Sequence, residues 1–227
     1  MTPKLQELIP FDHTYILYDP ENPLSLAIAI ASLTPILILV FIFSWFVITR
    51  EVESCLLAFG HVLNDLTSCI IKKLSKFERP IEGQIFKTDG SLAYGMPSSH
   101  SQFVSFLTCY MTLKMLLQWP TALSKKCQIV SIGSLLAVQF SVVYSRVYFS
   151  YHNFYQVFVG TILGIFLSSA YFLLVSILRD VGLINWLLDW NICQLLQMKD
   201  SFDGSKVTTL ADERNNWKNK STHYIRT

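Results

Sequence analysis

Two histidines in this chain stand among cations and hydroxyls. His100 follows Pro97, Ser98 and Ser99 where a polar loop gives way to a long apolar run. His152 lies in the pattern Ser145-Arg146-x5-His152-x3-Gln156. A third piece, Lys72-x6-Arg79-Pro80, brings two more cations. Imidazole gives or takes a proton near neutral pH. Of two histidines, one can attack phosphorus and the other can protonate the leaving oxygen. Lys72, Arg79 and Arg146 suit the phosphoryl oxygens, the arginines through a planar two-pronged fork. Proline fits the first turn of a helix, so Pro97 is expected to open one, with Ser98 and Ser99 capping or lining it. The free N–H groups and the helix dipole would then face an anion. Phosphoryl transfer needs mainly positioning and charge stabilisation, which this set supplies. No Asp/Glu/His cluster has the spacing of a metal centre, so no metal and no other cofactor is expected.

These pieces are far apart in sequence, and apolar runs must bring them together. Apolar residues make up 52% of the chain and charged residues only 15%, which points to a membrane protein. The formal net charge of +2 suggests no nucleic-acid partner. Five cysteines, mostly inside apolar runs and without paired spacing, suggest neither a disulfide framework nor a zinc site.

Five spans are predicted: Leu26–Thr49 with a kink at Pro35, Ser54–Lys73, His100–Trp119, Cys127–Phe149 and Phe154–Leu178. Strict alternation puts the end of the second, the start of the third, the end of the fourth and the start of the fifth on one membrane face. All three chemical pieces therefore share a side. The fold class expected is all-α, a polytopic membrane helical bundle.

The second span carries His61, Asn64, Asp65, Ser68 and Lys72, and the steps 61, 65, 68, 72 follow helical spacing. Such a polar stripe should face the bundle interior. Arg50, Glu51 and Glu53 read as a short turn, and Lys114 as a residue that snorkels from the far end of the third span. Gly160 and Gly164 are spaced for close helix contact. Ile184–Leu196 is too short to span comfortably and is expected at the interface. The domain reading is a polar N-terminal segment over residues 1–25, a transmembrane domain over 26–180, and an interfacial segment with a polar tail over 181–227. Phe11, Tyr15, Ile16 and Tyr18 are placed at the membrane interface.

The three pieces resemble the signature of the type 2 phosphatidic acid phosphatase superfamily: Lys-x6-Arg-Pro, Pro-Ser-Gly-His and Ser-Arg-x5-His-x3-Asp. The resemblance implies that His152 is the nucleophile that forms a phosphohistidine and that His100 protonates the leaving group. It implies that Lys72, Arg79, Ser98, Ser99 and Arg146 bind the phosphoryl oxygens. Two positions depart from the pattern. Ser99 stands where glycine is usual, and Gln156 stands where aspartate orients and charges the nucleophilic histidine. A glutamine oxygen can still fix the His152 tautomer, but it cannot stabilise imidazolium by charge.

Those departures, with Gly95-Met96-Pro97-Ser98-Ser99-His100-Ser101-Gln102 and Ser145 to Val157, are similar to the dolichyl-diphosphatase branch. The stretches Pro10 to Asp19 and Gly182 to Trp186 look like its fungal members. The resemblance implies hydrolysis of dolichyl diphosphate, in the endoplasmic reticulum membrane, at a site facing the lumen, where protein glycosylation releases this lipid. The partners expected are that lipid and the bilayer. Phosphatidic acid or a sphingoid-base phosphate is the alternative substrate, and a non-catalytic membrane scaffold is the alternative from another class. With five spans the tail is expected in the cytosol, so the sequon Asn219-Lys220-Ser221 should carry no glycan.

Overall fold

The computed structural model describes residues 18–80, 94–120 and 123–200. The readings that concern Phe11, Tyr15, Ile16 and Asn219 lie outside these residues. The described chain is helical, in the order α1 (Pro23–Ser32), α2 (Thr34–Thr49), α3 (Val52–Ser75), α4 (Ser99–Leu113), a π-helical turn (Lys114–Gln118), α5 (Lys125–Tyr148), α6 (Phe154–Asp180), α7 (Leu183–Leu188) and α8 (Asn191–Leu195). Among the described residues the only β-type pairing is an isolated bridge between Glu51 and Lys199.

Helices α3, α5 and α6 are each long and apolar enough to cross a membrane. The first expected span is two helices, α1 and α2, bent by 45° at a short break; taken together they make a fourth. Leu33 is the hinge, and Pro35 opens α2 rather than kinking the middle of one helix. The third expected span, α4 with its π-turn, is not selected by length and apolarity. Its place in the bundle is set by packing, because it makes its most extensive contact with α6 and its next with α5.

The α4–α6 contact follows from two glycines, as their spacing predicts. A Cβ added at Gly160 would come 2.7 Å from the carbonyl oxygen of Ser98, and one added at Gly164 would collide with the carbonyl of Gln102. Small residues let the two backbones close to this distance. Further along, Ile42, Leu57, Phe106, Tyr110, Tyr171, Phe172 and Val175 form the apolar core. The buried Tyr171 hydroxyl donates to the Leu56 carbonyl at 2.7 Å, so the ring is packed without leaving its polar tip unpaired.

Three expectations are corrected at this level. Asp65 is exposed, while Asn64 takes the interior position beside His61 and Ser68. The face is set by Gln102 of α4, whose amide nitrogen donates to both the side-chain and backbone oxygens of Asn64 at 2.9 Å. Lys114 does not snorkel: it is buried, with its ammonium 2.9 Å from the Glu53 carboxylate. Glu53 lies inside α3, not in a turn, and also accepts from the Tyr110 hydroxyl at 2.9 Å and from Arg179 at 3.2 Å. Arg179 in turn holds Asp200 at 3.0 Å, so the charges at this end balance one another.

The segment Ile184–Leu196, expected as one stretch, is two short helices broken at Asp189 and Trp190. Beyond them, the Val52 N–H donates to the Lys199 carbonyl and the Lys199 N–H to the Arg50 carbonyl, and the Lys199 ammonium lies 3.2 Å from Glu51. The chain after α8 is thereby tied to the α2–α3 turn.

Candidate active site

At the opposite end of the bundle, α3 finishes, α4 and α6 begin and α5 finishes. The three sequence pieces meet here. Helix α3 stops at Lys76, whose left-handed backbone (φ 52°) turns the chain toward Phe77, Glu78 and Arg79. The Gly95 N–H returns to the Phe77 carbonyl at 2.7 Å, and the Ser75 hydroxyl donates to the Met96 carbonyl at 3.1 Å. A Cβ on Gly95 would stand 2.8 Å from both Cγ of Arg79 and Nε2 of Gln156. Only glycine leaves room for that arginine and that glutamine to flank the chain here.

Helix α4 begins at Ser99, two residues after the expected start at Pro97. Ser98 is its N-cap and Pro97 precedes the helix instead of opening it. The Ser98 N–H donates to the Gln156 carbonyl at 3.2 Å, its hydroxyl accepts from Ser101 at 3.0 Å, and it makes no side-chain cap bond. Ser98 thus joins α4 to α6, and the N–H groups that precede the first intrahelical acceptor belong to Ser99, His100 and Ser101. His100 is half-buried in this first turn.

Ser99 is in place of the usual glycine for a visible reason. Its hydroxyl contacts the Lys72 ammonium and lies 3.0 Å from the Ser68 hydroxyl. It fixes the lysine at the mouth of α4. Ser68 was visible in the polar stripe of α3 but not as part of the site; it lies one turn before Lys72, which is the signal that places it there.

His152 sits in the bend between α5 and α6, outside the helices that fit a membrane. Its N–H donates to the Arg146 carbonyl at 3.1 Å, and Ser150 takes a left-handed φ of 54° to make the bend. The ring is buried, with Nδ1 3.1 Å from Oε1 of Gln156. Burial pushes the His152 pKa well below the usual histidine value, and the charges of Arg79, Arg146 and Lys72 push it the same way, against the Gln156 hydrogen bond. The ring is therefore held neutral, and with Nδ1–H donating to Gln156 its Nε2 carries the free lone pair.

Gln156 has three tasks. Its Oε1 accepts from His152 and, at 3.4 Å, from the Asn153 N–H; its Nε2 donates to the Glu78 carbonyl at 2.7 Å. The Asn153 side chain accepts from the Gln156 N–H at 2.8 Å, completing a capping box that starts α6. The Asn-x-x-Gln spacing is its sequence signal.

Arg146 lies over the Tyr151 ring at 4.3 Å, and its Nη1 donates to the Ser32 hydroxyl at 3.0 Å. Its Nε is buried without a hydrogen-bond acceptor among the described residues. A buried donor of this kind is costly unless an anion completes it. Tyr151 lies within the Ser145 to Val157 stretch but had no role assigned, and no motif marked Ser32. Among the described residues no three His, Cys, Asp or Glu side chains converge as a metal site would require. What the arrangement can do is present a neutral imidazole nitrogen to an oxyanion held by Lys72, Arg79 and Arg146.

Comparison with known proteins shows the family. Residues 53–180 match the PAP2 superfamily. A dolichyldiphosphatase of Saccharomyces cerevisiae is 44% identical over 93% of this chain and 89% of its own length. Dolichyldiphosphatase 1 of Dictyostelium discoideum is 30% identical over 83% of this chain and 81% of its own, and that of Homo sapiens 32% over 72% and 70%. No solved structure matches the chain. The chain belongs to the PAP2 superfamily and groups within it among the dolichyldiphosphatases.

Proposed function

We propose that this protein is an integral membrane phosphatase that hydrolyses dolichyl diphosphate to dolichyl phosphate and phosphate through a phosphohistidine. The observation that carries the reading is the His152–Gln156 pair: with Nδ1 tied to Oε1, Nε2 is the nitrogen offered to phosphorus, beside the cations Lys72, Arg79 and Arg146. Nε2 attacks the terminal phosphorus, the bond to the bridging oxygen breaks, and His100 gives its proton to the departing dolichyl phosphate. Water then attacks the phosphohistidine, His100 takes a proton from it, and phosphate leaves. The cations and the N–H groups of Ser99 and His100 neutralise the equatorial oxygens, while Ser98 holds α4 against α6.

The substrate comes from the names of the relatives. The deciding experiment is an assay of purified protein against dolichyl diphosphate, dolichyl phosphate and phosphatidic acid. Turnover of the diphosphate with little of the other two supports the reading; preference for phosphatidic acid overturns the substrate, and no turnover of any overturns the activity.

We place residues 26–180 in the endoplasmic reticulum membrane as the phosphatase domain, with the site and residues 1–25 in the lumen, and residues 181–227 as an interfacial segment and cytosolic tail. The supporting asymmetry is Arg50, Lys125, Lys126 and Arg179 near the helix ends away from the site. On the lumenal side the enzyme would return the lipid released by protein glycosylation to its monophosphate form. Endoglycosidase-sensitive glycan at Asn219 would overturn the orientation.

A further inference from the structure

Arg146 is anchored from outside the three motif pieces. Its Nη1 lies 3.0 Å from the hydroxyl of Ser32, the last residue of α1. Ser32 is 1% exposed and lies 3.1 Å from the Ser145 hydroxyl. The proton positions in this chain are determined. The Ser145 hydroxyl donates to the Val142 carbonyl at 2.6 Å, so its single proton is committed. In the Ser32–Ser145 pair, Ser32 is therefore the donor. Its lone pairs are left for Arg146, which can only donate. The sequence runs Arg146 Nη1–H to Ser32 Oγ–H to Ser145 Oγ–H to the Val142 carbonyl, with every proton placed. A hydroxyl at position 32 is the group that accepts from a guanidinium and donates to a serine at once.

The fold explains why this contact exists. The bend at Leu33 lets α1 pack along α5, whereas α2 continues against α3. At the other end of α1, the Asn22 amide reaches the Tyr148 hydroxyl at 3.4 Å. The short first helix thus follows the last turns of α5, where Arg146 lies. With Nη1 on Ser32 and one face on Tyr151, the guanidinium keeps a buried Nε–H that has no acceptor among the described residues and that an anion could complete.

We infer that Ser32 is a positioning residue for anion binding, setting the guanidinium plane of Arg146 through the Arg146–Ser32–Ser145 hydroxyl chain. This rests on the reading of Arg146 as a phosphate ligand, but not on which lipid is the substrate. It makes α1, outside the signature pieces, part of the phosphate site. The effect acts on binding of the phosphoryl group in substrate and transition state alike, so KM should rise with kcat little changed.

The test uses the full-length protein in detergent and orthovanadate, a phosphate mimic, as the probe. Vanadate affinity is read from its stabilisation of the thermal midpoint, independently of any substrate. In Ser32→Ala, vanadate affinity is expected to fall about 10-fold, as for loss of a hydrogen bond to a charged group, and kcat/KM to fall with it. Ser32→Thr keeps the hydroxyl and should restore most of both. Ser32→Cys keeps the volume with a weak acceptor and should resemble Ser32→Ala, which keeps the test valid if the alanine variant fails to fold. Parental vanadate affinity in Ser32→Ala or Ser32→Cys would overturn the inference, as would weakening in Ser32→Thr equal to that in Ser32→Ala. Parental protein that binds vanadate without hydrolysing dolichyl diphosphate would overturn the proposed activity and leave this inference standing. Parental protein that does not bind vanadate would overturn the inference itself.

Discussion

Nε2 of Gln156 donates to the backbone carbonyl of Glu78 at 2.7 Å, joining the first turn of α6 to the loop that carries Arg79. The same amide accepts from His152 through Oε1. One side chain thus fixes both the proposed nucleophile and the segment of a proposed phosphate-binding arginine. Because one end of the amide must donate and the other accept, its orientation is not interchangeable.

The first prediction follows from that double role. Gln156→Ala should lower kcat/KM by about 100-fold, as for removal of a buried polar partner worth 2–3 kcal/mol. Gln156→Glu can still accept from His152 but sets an oxygen against the Glu78 carbonyl, and should recover only a small part. Sequence alone favours Gln156→Asp as a milder change; the Glu78 contact removes that advantage, because a carboxylate has no proton to give. Steady-state kinetics of the three variants, with Glu or Asp near the parental rate, would show that the Glu78 bond is idle.

The second prediction concerns His152. His152→Ala should abolish turnover, and acid-labile phosphate on His152 should be trapped in the parent after rapid quenching. The neutral ring is the reactive form, and its pKa is pushed down by burial and by Arg79, Arg146 and Lys72. Activity should therefore persist as pH falls through about 6.5, the ordinary histidine value, and be lost only further down. Removing a cation raises the folded-state pKa, so in Arg79→Gln the acidic limb of the kcat/KM profile should move to higher pH. An unmoved limb would separate that limb from His152.

How much of this was legible depends on whether a role is local or contributed from elsewhere. Lys72, Arg79, Arg146 and His152 carry their chemistry in their own types, and helix alternation is enough to bring their segments to one end. Ser32 was not legible, since a serine in an apolar run becomes an arginine ligand only through the bend at Leu33. Asp65 and Asn64 differ by a single helical step, and the choice between them was made by Gln102 on another helix. Lys114 reads as an interfacial lysine until Glu53, 61 residues away, is seen against it. In each case the deciding group lies on a second helix.

The third prediction is for Gly95. Gly95→Ala brings a methyl to 2.8 Å from Cγ of Arg79 and from the Gln156 amide. All of these atoms belong to side chains and none to the backbone, so the fold should survive while both groups are displaced from the site. Catalytic efficiency should drop by at least about 10-fold, as for reacting groups moved off their productive geometry, while the thermal midpoint stays close to that of the parent. Unchanged kinetics would show that neither group needs its present place.

The fourth prediction addresses the far end. Glu53→Gln leaves Lys114, fully buried, without its carboxylate, and should destabilise the protein by about 3–5 kcal/mol. Lys114→Met should cost less, because Glu53 keeps Arg179 and the Tyr110 hydroxyl. Thermal midpoints in detergent compare the two; a larger drop in Lys114→Met would reverse the order and show that Arg179 does not support Glu53.

The buried charges of Glu53, Lys114 and Arg179 carry an excess of one positive until Asp200 arrives. A ribosome delivers that carboxylate after every spanning helix has been made. The helices up to α6 can thus pack while this end still carries that charge, which is balanced only by the strap after α8. The segment after α8 is thus the last counter-ion this end of the bundle receives.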